Sequence, residues 1–452
     1  MKYQSTLQKL IGIAAAGFCL SGMLSILPVN AESAPPDAVG AVTASGKTTY
    51  YYDTIESGGA SAMWNEAVAK HNATVTLYAD WRAAEDGSFG KDGGGFVNGG
   101  VICVPTGCEI TIDLNGFSVD RALDSAIDNG EVLCIQEGGS LYLSDTKSGN
   151  TGKLCGGNST SGAGGIFVEP GASLNLWGGS ITGNKTDGNG GGIMLGGSGA
   201  SLNMTGGIVT GNSASQNGGG LASVDGTIRI IGGQFTKNRA SGSGGGIYLQ
   251  GGSAEIMTFS LESNSAATGG GLSINSDAVL NLKDGSVIQK NIAHSPDVPW
   301  GGGGILDMSN VPIQVSGVVT ISGNLLSNGD TSNLSFYSDK NGTFAGSRIE
   351  NAGLNTSSSA IGVSYTGGKN EYTFAYGWSG DNLFTMDTPD FTMKEKDGNL
   401  TLHRSFQGLS TIAILIILGV LVIAIIVLLL VLSASKRKKK KKKRKKKSVK
   451  QA

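Results

Sequence analysis

Proline is scarce in this chain, at 9 of 452 residues; histidine numbers 3, cysteine 5, and aromatic residues make up 6%. Each shortage removes a class. With so little proline, and glycine not recurring at every third position, a collagen triple helix is excluded. No Cys-x-x-Cys pair is present, so a zinc site of the usual spacing is excluded. His71, His294 and His403 stand far apart and read as surface residues, not as bases or ligands. There is no Gly-x-Ser-x-Gly nucleophile elbow and no P-loop. The glycine repeats lack the aspartate of the calcium-binding nonapeptide. No cofactor or metal is expected.

Glycine is abundant instead, with 74 residues, more than twice the roughly 7% of average proteins. A disordered linker does not fit, because apolar residues reach 39% and are regularly placed.

The net charge of −1 conceals a division. Thirteen of the 34 bases lie in residues 436–450, and Lys2 and Lys9 lie near the start; the 19 that remain face all 35 acids. The two parts carry opposite fields, as expected of a chain divided by a membrane. Lys2 and Lys9 precede an apolar run and a small-x-small site at Val29, Asn30 and Ala31, so residues 1–31 are expected to be a signal peptide. Residues 412–432 contain no charge and no proline. As a helix they would cover roughly 32 Å, enough for a bilayer core. The bases that follow predict a cytoplasmic tail and an extracellular N-terminal part, single-pass in a plasma membrane. No LPxTG-like sorting signal precedes the span, so the helix itself is the expected anchor. The tail has no interleaved aromatics, so no nucleic-acid partner is expected. Its expected partners are anionic lipid headgroups, met by Lys436, Arg437, Lys438, Lys441, Arg444 and Lys447.

Between the ends runs a repeat. Gly-Gly-[Ile/Leu] recurs with its apolar residue at Ile166, Ile193, Leu221, Ile247, Leu272 and Ile305, at spacings of 27, 28, 26, 25 and 33. An apolar-x-x-Asn spelling keeps step, ending at Asn184, Asn212, Asn238, Asn264, Asn291 and Asn324. Short period-two runs lie between them, such as Leu174 with Leu176 and Leu202 with Met204. Period two means strands, and the glycines between them mean turns. Each unit therefore predicts three short strands and three corners. One unit buries nothing alone; stacked at about 4.8 Å, the inward Ile, Leu and Val rows form a continuous core. Glycine and asparagine suit corners because both tolerate left-handed backbone. The six asparagines are candidates for a structural ladder of amide hydrogen bonds. Upstream, Cys103 matches Cys134, and Ile110 and Ile112 match Leu141 and Leu143, at a shift of 31.

These spellings, most literally Phe235-Thr236-Lys237-Asn238, resemble the repeats of polymorphic outer-membrane proteins and related autotransporter-type adhesins. Those belong to the pectin-lyase-like superfamily. The resemblance covers about residues 100 to 330. It implies a right-handed parallel β-helix at a bacterial cell surface, binding an extracellular glycan or protein. The chain departs from that family in ending on a helix and a basic tail, as suits a bacterium with a single membrane.

The expected organisation is an all-β right-handed β-solenoid with end caps and one transmembrane helix. Residues 32–98 form the N-terminal segment and cap, 99–330 the coils, and 331–408 terminal coils with a β-rich cap or stalk. Residues 411–433 cross the membrane, and 436–452 form the tail. Stacking of Cys103 on Cys134 brings their Cα atoms within disulfide range, so a bridge there is one expectation and unpaired packing thiols the other; Cys108 and Cys155 are the remaining pair.

No catalytic site is expected. The outward middle positions of the first strand read Phe167, Met194, Ala222, Tyr248 and Ser273, which are poor proton donors or acceptors. The alternative is a polysaccharide lyase or glycoside hydrolase of this fold. Its acids would come from Asp113, Asp120 and Asp124, with Asp128, Glu131 and Arg121 nearby. If that segment is helical, Asp120, Asp124 and Asp128 share one face.

Overall fold

The computed structural model describes residues 34–52, 59–149, 151–295, 301–336, 348–355, 357–365, 371–378, 383–388, 391–404 and 411–448. The expected signal segment, residues 1–31, lies outside them.

The chain winds into a parallel β-helix. One coil runs through Ile193–Leu195, Ser201–Met204, Ile208–Thr210 and Ser213–Ala214, then begins again at Leu221–Val224. Each strand pairs in parallel with its copy one coil away, as Ile193 with Leu221, Leu202 with Ile228, Val209 with Phe235 and Ala214 with Ala240. The coil thus has four strands, not three. The fourth holds only two residues, too short for a period-two signal. Its inward row of Ala214, Ala240, Ala266 and Ala293 is buried. Small side chains there let the coil turn sharply.

The inward rows are those that alternation selects. Ile166, Ile193, Leu221, Ile247, Leu272 and Ile305 stack from the first strand and are buried. So are Leu174, Leu202, Ile228, Ala254 and Leu280 from the second. Ile110 and Ile112 pair with Leu141 and Leu143, and Cys103 with Cys134, in the register expected at a shift of 31.

The left-handed corners lie elsewhere than expected. No ladder asparagine has positive φ; the residue before each one does, namely Gly183, Gly211, Lys237, Ser263, Lys290 and Gly323. Three of the six are not glycine and carry a left-handed strain of roughly 1–2 kcal/mol each. Lys237→Gly should therefore stabilise the chain by about 0.5–1 kcal/mol after glycine's extra unfolded-state entropy is subtracted. A higher midpoint of urea unfolding for the full chain in detergent would register it.

Helix α1, Gly59–Lys70, closes the N-terminal end with Met63, Trp64, Ala67 and Val68 buried. Trp64 Nε1 donates to the carbonyls of Gly95 (2.8 Å) and Cys103 (3.2 Å), which fixes the helix on the first coil. Asn72–Leu77 and Trp81–Arg82 already pair in parallel with Glu109–Asp113 and Ser118–Asp120, so an incomplete coil precedes residue 99. Antiparallel strands end the long sheet on both sides: Ala38–Ala44 with Lys47–Tyr52 at one end, Asn399–Arg404 with Phe391–Lys396 at the other. Regular coils give way after Leu325–Leu326 to strands such as Leu334–Phe336, Ile349–Leu354 and Ala360–Ser364, which continue the ladders.

Helix α2, Thr411–Ser448, is long and apolar enough to cross a membrane. The apolar residues of Ile416–Lys439 are exposed, none of them packed on the solenoid. A helix apolar all round and uncovered by protein matches a bilayer, not a core.

Candidate functional site

Asn184, Asn212, Asn238, Asn264, Asn291 and Asn324 are buried at one corner of successive coils. Each Oδ1 from Asn212 onward accepts both the backbone N–H and the side-chain Nδ2–H of the preceding asparagine, at 2.9–3.1 Å. The Nδ2 groups also donate to carbonyls such as Ile181 O and Val209 O. One Nδ2–H of each asparagine therefore reaches back to the preceding coil, while the backbone N–H and the other Nδ2–H point toward the C-terminal end. There Asn333 takes the next place, and its N–H and Nδ2–H meet the Asp387 carboxylate at 2.7 and 2.8 Å. A carboxylate suits the donor end of aligned amide dipoles, where two hydrogen bonds need acceptors and none needs a donor. Asp387 is 54 residues beyond Asn333, with no repeat spelling to announce it. The amides have their partners within the stack, so the row is a structural element with little left for a ligand.

The acids are dispersed. Asp113 ends a strand of the long sheet, where it is buried and accepts from Asn115 N, Thr146 N and Thr146 Oγ1. Asp120 belongs to a different ladder; it accepts from Ala122 N and pairs with Arg82 at 3.5 Å. Asp124 is exposed in a bend, and the segment around it is not helical, so no common face forms with Asp120 and Asp128. Asp128 accepts from the Thr160 hydroxyl one coil away. Arg121 is buried, and its guanidinium donates to the carbonyls of Gly87, Asn129 and Glu131. Burial pulls its pKa down and pushes that of Glu131 up. These side chains hold turns and coil junctions. A cavity of about 350 Å³ lies beside Arg82, lined also by Met63, Asp80, Trp81 and Phe89. Among the described residues no group of three or more His, Cys, Asp or Glu side chains is placed to hold a metal ion.

Cys103, Cys108, Cys134 and Cys155 are all unbonded. Register does place Cys103 beside Cys134, but the expected bridge is not made. In-register parallel neighbours project their Cβ atoms side by side at roughly the 4.8 Å strand spacing, whereas a disulfide needs Cβ atoms converged to about 3.8 Å. Burial pushes the Cys103 thiol up to about 12 and raises Cys134 further, so neither forms the reactive thiolate near neutrality. His71 Nδ1 lies 3.5 Å from the Cys108 thiol, a contact that the sequence separation of 37 concealed.

Two outer faces remain. On the first strand, Phe167, Met194, Ala222, Tyr248 and Ser273 follow one another in register and point outward. The stripe is interrupted, because Ala222 and Ser273 are buried. A left-handed glycine ahead of each pair curls over it: Gly190, Gly218, Gly244 and Gly269, at φ 59–73°. A Cβ on any of these four would meet the outward residue at 2.8–2.9 Å.

The long sheet is more open. Its outward column runs Tyr142, Asn175, Asn203, Arg229, Glu255 and Asn281. Beside it Trp177 packs on Tyr142, with ring centroids 4.8 Å apart at 57°. Both rings are half-buried. Glu255 pairs with Lys283 at 2.7 Å and with Arg229 at 3.6 Å. Alternation held the signal for Tyr142, since a residue between the inward Leu141 and Leu143 must face out; Trp177 follows the strand Ser173–Leu176 and had no such signal. Comparison with protein-family models, curated proteins and solved structures finds no match for this chain, so the β-helix itself, with its open polar and aromatic long sheet, is what defines the candidate site.

Proposed function

We propose that this chain is a single-pass surface protein whose β-helix binds extracellular ligands without catalysis. Kinship with the adhesins of the pectin-lyase-like superfamily is part of this reading and rests on the Gly-Gly-x and apolar-x-x-Asn spellings. The observation that carries the functional reading is how the acids are used. Asp113, Asp128 and Arg121 bond backbone or a neighbouring coil, and Asp120 caps Ala122, so they converge on no common point. The outward rows are instead mostly amide, aromatic and aliphatic, and the charged Arg229, Glu255 and Lys283 are tied to one another in ion pairs. Such a surface can recognise, and among the described residues it presents no pair of carboxyls converging on one point for proton transfer.

The anchor reading adds topology. The solenoid lies outside the plasma membrane of a bacterium, α2 spans the bilayer, and Lys436, Arg437, Lys438, Lys441, Arg444 and Lys447 meet anionic headgroups on the cytoplasmic side. Each base near such a surface contributes on the order of 1 kcal/mol.

The test displays the full chain on cells. Expected is saturable retention on mucin-coated or matrix-coated surfaces, with no release of reducing or unsaturated ends from polysaccharides. Failure to retain cells on any of these surfaces, or sugar-end release abolished by Asp120→Asn, would overturn the proposal.

A further inference from the structure

We propose that the outer face of the long sheet around Tyr142 and Trp177 is a subsite for a neutral, extended glycan lying along the solenoid axis. This deepens the binding reading and rests on it. Three observations converge.

The first is the ring pair. Trp177 and Tyr142 come from neighbouring coils and form one half-exposed aromatic platform on an otherwise polar sheet. The flat C–H face of a pyranose is apolar and packs on such rings, while its hydroxyls need polar partners. Burial, with the Glu109 carboxylate adding to it, raises the Tyr142 pKa, so the ring presents a neutral phenol.

Amides next to the platform supply those partners. Asn175 stands between Tyr142 and Asn203 in the outward column. Asn203 Nδ2 donates to Asn175 Oδ1 at 3.3 Å on the exposed surface. That link uses one hydrogen of Asn203 and leaves its other hydrogen and its Oδ1 for a ligand. A carboxamide offers donor and acceptor side by side, which matches a pair of vicinal hydroxyls. Columns advance by one strand spacing, about 4.8 Å per coil. An extended β-linked sugar chain advances by a similar length per residue, so successive sugars meet successive coils.

Charge selects the third property. Outside the terminal segments 35 acids face 19 bases, a field that repels polyanions. The Glu109 carboxylate acts on Tyr142 and adds negative charge near the ring pair. Uronic-acid or sulfated polymers are therefore disfavoured, and neutral sugars fit.

The experiment uses the full chain in nanodiscs, titrated with cellohexaose, N-acetylated chitohexaose and oligogalacturonate by calorimetry. At least one neutral hexamer is expected to bind, and to bind about tenfold or more tightly than oligogalacturonate. Its affinity should change less than about twofold between low and high salt, since no charge is neutralised. Trp177→Ala should weaken it by about tenfold or more, while Trp177→Phe stays within about threefold because the stacking face survives. Unchanged circular dichroism of Trp177→Ala shows that the fold is intact, and Asn203→Ala, which removes the free amide groups, gives an independent loss if it is not. No binding of either neutral hexamer, equal binding by Trp177→Ala, or preference for the polyanion overturns the proposal. Retention on mucin or matrix by the same preparations separates the two ideas. If wild type and Trp177→Ala are retained equally, the glycan subsite fails and the binding reading stands.

Discussion

Asn238→Ala is expected to destabilise the β-helix by about 3 kcal/mol or more, far beyond the usual effect of an asparagine on a β-protein surface. The substitution removes the acceptor for Asn212 N–H and for Asn212 Nδ2–H, both at 3.1 Å and both buried. It also removes the donor to Val209 O at 2.9 Å and to Asn264 Oδ1 at 3.0 Å. Leaving one buried polar group unpaired costs about 1–3 kcal/mol, and here the Asn212 N–H and one of its two Nδ2–H groups lose their acceptor together. Coils pair with their neighbours alone, so the damage should be local at first. Urea unfolding of the full chain in detergent gives the size of the effect. Amide exchange gives its place, with protection falling first around residues 209–264. Asn203→Ala on the outer face is the control, expected within about 0.5 kcal/mol of wild type. Equal losses for the two variants would show that the ladder does not hold the coils.

Gly219→Ala is the second large effect, expected to cost about 3 kcal/mol or more. Gly219 does not have a left-handed φ, so its need for glycine is not conformational. The reason is contact between coils. A Cβ there would lie 2.4 Å from the carbonyl carbon and oxygen of Arg239 and 2.4 Å from Gly245 O. These are backbone atoms of the next coil, held by the ladder, and no side-chain rotation can relieve the clash. The same closeness recurs at Gly191, Gly245, Gly270 and Gly303. Gly183 makes the contrast. Its φ is +69°, but a Cβ would meet nothing within 4 Å. Gly183→Ala should therefore cost only the left-handed strain, about 1–2 kcal/mol. Thermal or urea unfolding of the two variants separates steric glycine from conformational glycine. A Gly219→Ala variant no less stable than Gly183→Ala would sink the distinction.

That distinction marks a limit of reading corners from spelling. Gly-Gly looks like a turn signal, and a turn does occur, but the left-handed residue is the glycine ahead of the pair, such as Gly218 at φ 68°. The pair itself is small because two backbones meet. Likewise, asparagine sits at its corner for its amide, while its predecessor carries the unusual φ. Composition shows that small and amide residues recur; only the stacked coils show which property of each is in use.

The acid cluster teaches the same lesson. Asp113, Asp120, Asp124 and Asp128 lie close in sequence, and a helix would have aligned them. The chain instead crosses from one ladder to another between Asp113 and Asp120, and it bends at Asp124. Nearness along the chain became separation around the solenoid.

By itself, the sequence determined the repeat and three of the four strands of each coil. Period-two alternation chose the inward rows, repeat spacing chose the register, and an uncharged run before twelve consecutive bases marked the membrane-length helix. These properties are local or repeat at a fixed interval, so each unit states them again. Tertiary structure alone decided the partners. It brought Asp387 to the end of the amide ladder, Trp177 onto Tyr142, His71 against Cys108, and the acids to their separate tasks. Those contacts join residues tens of positions apart at the ends or on the outside of the stack. There no repeating pattern constrains the side chains, and each partner is selected by what the winding of the chain places beside it.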